Sequence, residues 1–147
     1  MKKGFTIVEL LIVLAILGII VALGIGSFLR GIRVAQLQED QSRIAALVTQ
    51  ARNVSRRYSF NVTCTSAVTG LTCQALNSSG TVQTILNQTV TLVYAKLTNP
   101  SLSFTFQAPF GRLSEVASLT LQTSAFSADL DIIGVTGIIQ QRPPTPL

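Results

Sequence analysis

The sequence predicts an α+β protein in which a long N-terminal helix packs on an antiparallel β head. Three observations predict it. Leu10 to Leu29 is a run of 20 uncharged residues, all apolar or glycine except Ser27. Leu37, Ile44, Ala51 and Tyr58 then recur every seven residues, with Leu47 and Val54 offset to the same side. That is the spacing of one helix face. Beyond Tyr58 the pattern switches to alternating, β-branched stretches broken by turn residues, as strands require.

The apolar run comes first. As a helix rising 1.5 Å per residue it spans about 30 Å, the thickness of a bilayer's hydrocarbon core. An ordinary secretory signal, with Lys2 and Lys3 as its positive start, is the competing reading. Three features oppose it: Glu9 interrupts the start, the run reaches a full span, and helical periodicity continues past it. No proline occurs before Pro100, so one helix of about 50 residues is expected. Gly18, Gly24 and Gly26 weaken it by about 1 kcal/mol each relative to Ala without removing a hydrogen bond. A soft segment is therefore expected near Gly24 to Ser27. Glu39, Asp40, Arg43, Gln50 and Arg57 are assigned to the polar face of the second half.

In the head, Ser59 to Cys64 and Leu71 to Cys73 read as a hairpin turned at Ser66 to Gly70. Further strands are expected at 81–86 and 89–96, separated by Asn87-Gln88, and at 102–106 and 118–121. A closing hairpin is expected from 130–133 and 138–140 across Gly134-Val135-Thr136-Gly137. Pro143, Pro144 and Pro146 predict a tail that pairs with nothing. Phe60, Phe104, Phe106, Phe110 and Phe126 are assigned to the core.

Composition excludes several classes. The apolar fraction is 48% and the charged fraction 12%, which is too hydrophobic for a plain soluble domain. The net charge of +5 owes two charges to Lys2 and Lys3. Arg52, Arg56 and Arg57 cluster, and a solvated helix face is the simpler reading of them. With no His and two Cys, no zinc constellation exists, and neither a metal nor a cofactor is expected. Cys64 and Cys73 are too far apart for a CxxC redox pair. A disulfide outside the cytoplasm is the simplest account, contributing roughly 2–3 kcal/mol; two buried free thiols are the other. Asp129 and Asp131 would share a strand face, but solvated edge charges explain them better than an acid pair. No P-loop or nucleophile–base spacing appears. The expected protein is not an enzyme.

One stretch is more specific. Gly4-Phe5-Thr6-Ile7-Val8-Glu9, behind a short leader with two Lys and ahead of the apolar helix, resembles the class III signal of type IV pilins and type II secretion pseudopilins. The resemblance implies that a prepilin peptidase cuts after Gly4 and that Phe5 is N-methylated. It also implies that the helix waits in the inner membrane until an assembly platform draws it into a filament of like subunits. Cleavage creates an ammonium at Phe5, and the resemblance implies that Glu9 pairs with the amine of an adjacent subunit, fixing register. The expected organisation is a leader at 1–4, a transmembrane and filament-core helix at 5–29 and an amphipathic half-helix at 30–58. A β head at 59–147 with a 64–73 disulfide loop completes it. Lys2 and Lys3 are nearly balanced by Arg30 and Arg33 across the span, so the disulfide and the resemblance place the head outside, in the periplasm or at the cell surface.

Phe106-Gln107-Ala108-Pro109-Phe110-Gly111-Arg112, followed by strands and a Gly-containing hairpin, is similar to the GspH/FimT class of minor pilins. There, an F-x-P-x-G-like stretch joins two small sheets. Some members of that class bind DNA through basic residues near the C-terminal hairpin. Here Gly137 to Arg142 has one Arg, so DNA as a partner is only weakly implied.

Overall fold

The computed structural model describes residues 7–113, 115–133 and 138–147. The chain divides into two units, Met1–Arg33 and Val34–Leu147. Helix α1, Ile7–Tyr58, contributes to both. In the first unit it runs unbroken through Gly18 and the segment from Gly24 to Ser27. Every described side chain from 7 to 33 is exposed.

The second unit begins where one face of α1 becomes buried. Leu37, Ile44, Leu47, Val48, Ala51 and Val54 enter the core, following the predicted stripe. Tyr58 ends the stripe 45% exposed, because the helix stops there and the chain turns through Ser59 at positive φ.

Ten strands follow: β1 Asn61–Ala67, β2 Gly70–Leu76, β3 Val82–Thr91, β4 Lys96–Leu97, β5 Ser103–Gln107, β6 Arg112–Leu113, β7 Ala117–Gln122, β8 Phe126–Ile133, β9 Ile138–Gln141 and β10 Thr145–Pro146. They form two antiparallel sheets. The first has the order β3-β2-β1-β5-β6; the second has the order β10-β8-β7-β4, with β9 also on β8. Burial alternates along β1, β7 and β8, so each strand turns alternate side chains to the interior. Both sheets and the second half of α1 share one hydrophobic cluster, with Phe104 and Phe106 edge to face at 5.9 Å. Cys64 and Cys73 stand directly opposite in the β1–β2 register, fully buried and joined as a disulfide.

Four expectations are corrected. Asn87-Gln88 is not a turn, since both residues pair in β3, opposite Gln74 and Cys73. The interruption lies earlier, where the register jumps from Gln74↔Asn87 to Ala75↔Gln83. Here a bulge absorbs the extra residues that a hairpin would otherwise have used. The Pro-rich tail does pair, because Thr145 faces Ser127 and Pro146 faces Phe126 at a sheet edge, where a proline's missing N–H costs no ladder bond. Asp129 and Asp131 are not solvated edge charges. They lie on β8, flanked on both sides, and accept hydroxyl bonds from Thr120 at 2.8 Å and Ser118 at 2.7 Å. The turn at 134–137 lies outside the described residues, although the strands flanking it pair as expected.

The fourth correction is Asp40. It is not on the solvent face but completely buried. It lies three residues after Leu37 and four before Ile44, on the apolar stripe itself. Its carboxylate accepts the backbone N–H groups of Val93 at 3.2 Å, Tyr94 at 2.8 Å and Ala95 at 2.8 Å. Those residues carry the chain from β3 of one sheet to β4 of the other. Its neighbour Gln41, also buried, donates to the carbonyls of Asp129 at 2.8 Å and Arg142 at 3.1 Å. Lower on the helix, buried Ser55 donates to the Phe106 carbonyl at 3.2 Å.

Asp40→Ala leaves three N–H groups, one buried and two part-buried, without that acceptor, and a buried orphan costs about 1–3 kcal/mol. Chemical denaturation of the full chain in non-ionic detergent is expected to show a loss of roughly 3–5 kcal/mol. Asp40→Asn, which keeps one acceptor oxygen, should lose distinctly less. An unchanged midpoint for Asp40→Ala would remove the carboxylate from any role in holding the crossover.

Candidate functional site

The N-terminal site begins with what α1 presents. Its described large apolar side chains between Ile7 and Leu29, including Ile7, Leu11, Leu14, Ile19 and Phe28, are all exposed. Among the described residues no face of this segment is buried. α1 is long and apolar enough to cross a membrane. Glu9 occupies its first turn, where a negative charge is favoured by the exposed N–H groups and the helix dipole. Its side chain is exposed. Gly4 and Phe5, the expected cleavage and methylation positions, lie outside the described residues.

A second concentration of chemistry lies in the head, where the sequence suggested only a solvated helix face. Arg52, Arg56 and Arg57 project from the last two turns of α1. The turn between β5 and β6 comes up beside them and adds Arg112 from β6. Together they line a cavity of about 840 Å³, with Asn53, Pro109 and Phe110 also in its lining. Phe110, assigned to the core from the sequence, is instead 65% exposed. The guanidinium carbon of Arg112 sits 5.2 Å from the centre of its ring. Likewise Arg57 lies 5.6 Å from the ring centre of Tyr58. Both are cation–π distances.

Gly111 positions this turn. Its φ is +62°, in the left-handed region that a side chain disfavours. A Cβ there would also lie 2.7 Å from Arg56 Cγ and 3.1 Å from the Arg52 carbonyl oxygen. The missing side chain is what lets the turn press against the aliphatic stems of both arginines. The turn is a hairpin within the first sheet, not the junction between two sheets that the resemblance implied. Arg142, the single basic residue near the C-terminal hairpin, is held by Asp131 at 2.7 Å.

The signals that sequence reasoning missed are of two kinds. Asp40 and Gln41 were findable by position, since helical spacing places them on the buried stripe. Arg112 and Phe110 were not, because nothing local says that a turn more than 50 residues away meets the helix end.

Comparison with known proteins gives one match. Residues 1–25 fit the family model described as the prokaryotic N-terminal methylation motif. Neither curated proteins nor solved structures give a significant match to the chain. The motif is the class III signal typical of type IV pilins and pseudopilins, and the fold is pilin-like: an apolar N-terminal helix whose continuation packs on antiparallel sheets. Proteins of that kind are structural rather than enzymatic.

Gly111→Ala combines left-handed strain with a contact against the helix. It is expected to lower stability by about 1–3 kcal/mol and to shift the amide resonances of Arg52 and Arg56. A variant as stable as the parent would show that the turn needs no close approach there.

Proposed function

We propose that this chain is a structural subunit of a type IV pilus or a type II secretion pseudopilus, a minor pilin or pseudopilin. The observation that carries the reading is the coincidence, within residues 1–25, of leader, Gly4-Phe5, Glu9 and an apolar run, followed by a helix exposed all round. Residues 1–4 are the leader that a prepilin peptidase removes, and Phe5 becomes the N-methylated first residue. Residues 5–29 hold the subunit in the inner membrane, with the head exported, until the assembly platform passes it to other pilin subunits. There the same apolar surface becomes the filament core. The buried Cys64–Cys73 disulfide supports an exported head. The passage from helix into β1 and the two small sheets support a GspH/FimT-like minor subunit.

Glu9 then has a defined partner. The new ammonium at Phe5 lies four residues away in sequence, and a carboxylate and an ammonium among apolar helices are each costly without the other. Pairing between adjacent subunits permits one axial register. Neighbouring registers would not bring these two charges together.

Mass spectrometry of the mature protein is expected to find Phe5 first and heavier by one methyl group. A mature start at Ser27 or later would replace this reading with an ordinary secretory signal. Glu9→Val should leave insertion and cleavage intact yet reduce filament incorporation by roughly tenfold or more, since breaking a desolvated ion pair costs a few kcal/mol. Normal incorporation would show Glu9 to be a mere boundary residue.

A further inference from the structure

The arginine cavity at the end of α1 has no role in the filament reading. Arg52, Arg56, Arg57 and Arg112 line it, and among the described residues no acidic side chain does. No ion pair among the described residues neutralises any of the four, since Glu39 pairs with Arg43 and Asp131 with Arg142. Arg52 Nε is buried and has no hydrogen-bond partner, which is rare for a buried polar atom. Four like charges around one cavity repel one another, and an anionic occupant would offset that repulsion.

The donors are placed in advance. The turn at Gly111 lies against the stems of two arginines, because a Cβ there would stand 2.7 Å from Arg56 Cγ and 3.2 Å from Arg52 Cγ. The other two are restrained by rings, Arg112 by Phe110 at 5.2 Å and Arg57 by Tyr58 at 5.6 Å. Restrained donors lose less freedom on binding. Each guanidinium also presents a planar fork of N–H groups, the shape that a carboxylate meets in bidentate fashion.

Spacing and charge narrow the occupant. Arg52 and Arg56 stand four residues apart on the helix, an axial rise of about 6 Å. Side chains on alternate residues of an extended peptide leave the same face about 6.6 Å apart. Two carboxylates at that spacing meet both forks at once, with Arg57 and Arg112 left for flanking acids. A small inorganic anion would engage one fork and make no use of the exposed Phe110. A second copy of this chain is a poor occupant. Its single pair of alternating acids is Asp129 and Asp131, and these are bonded to Thr120, Ser118 and Arg142.

We propose that this cavity docks an acidic segment of another protein, extended and with carboxylates on alternate residues. Arg52 and Arg56 take one pair of carboxylates, and Arg57 and Arg112 hold the segment on either side. Every group involved belongs to the head, so the inference does not rest on the filament reading.

The test uses the full chain in non-ionic detergent and a fluorescent peptide of alternating glutamate and threonine, read by anisotropy at low salt. The peptide is expected to bind, with an affinity that falls as salt is added, and its glutamine counterpart is not. Arg56→Gln and Arg112→Gln should each weaken binding about fivefold or more, as loss of a hydrogen bond to a charged group implies. Arg56→Lys, which keeps the charge and loses the fork, should recover only part of that loss. Arg43→Gln removes the same charge from a residue already paired with Glu39 and should change binding far less. Four results would overturn the proposal: no binding at low salt, equal loss on Arg43→Gln, full recovery with Arg56→Lys, or displacement of the peptide by inorganic phosphate or an oligothymidylate more readily than by unlabelled peptide of equal charge. The last would reassign the cavity to phosphate ligands.

Discussion

A buried carboxylate organises the head. Asp40 is removed from water, which is costly for any charge, and the cost is offset by three backbone donors, two of them at 2.8 Å. Those donors belong to the one stretch that carries the chain from β3 to β4. A crossover between sheets cannot use ladder bonds, so its N–H groups need an acceptor from elsewhere. The helix supplies it. With Gln41 bonded to the second sheet and Ser55 to the first, the same helix face that supplies apolar area also sets where each sheet sits. Hydrophobic packing alone is non-directional, and these three polar contacts give it direction.

The two halves of α1 answer different demands with the same backbone geometry. From Val34 onward its apolar residues occupy one face and are covered within the head. Before that they occupy every face, and each described one is exposed. Such a surface is stable only against lipid or other apolar helices, which is the condition that membrane residence and filament assembly would each satisfy. The residues of the hydrophobic core all lie within the head's own unit.

The cavity lined by Arg52, Arg56, Arg57 and Arg112 shows how the head's surface is assembled. Its arginines come from two places far apart in sequence, and Gly111 is the hinge of their meeting. A residue with a Cβ would hold the turn off the helix, and Arg112 and Phe110 would move away with it. Phe110 illustrates how context overrides composition. A phenylalanine in a β-rich segment is usually core, but at this hairpin tip Gly111 takes the side against the helix and Phe110 is left exposed.

What the sequence determined by itself is whatever depends on local order and spacing. The apolar run, the heptad stripe from Leu37 to Val54, the paired cysteines and the motif at residues 4–9 could all be read directly. Each is a property of neighbours along the chain. The strand segments were mostly legible too, for the same reason. Tertiary structure decided the rest: the burial of Asp40, the unbroken β3, the pairing of the Pro-rich tail, the flanked position of Asp129 and Asp131, and the union of Arg112 with the helix arginines. Those outcomes depend on which distant backbone groups lack partners and which surfaces come close. Such energies arise between elements, and no window along the chain contains both sides of them.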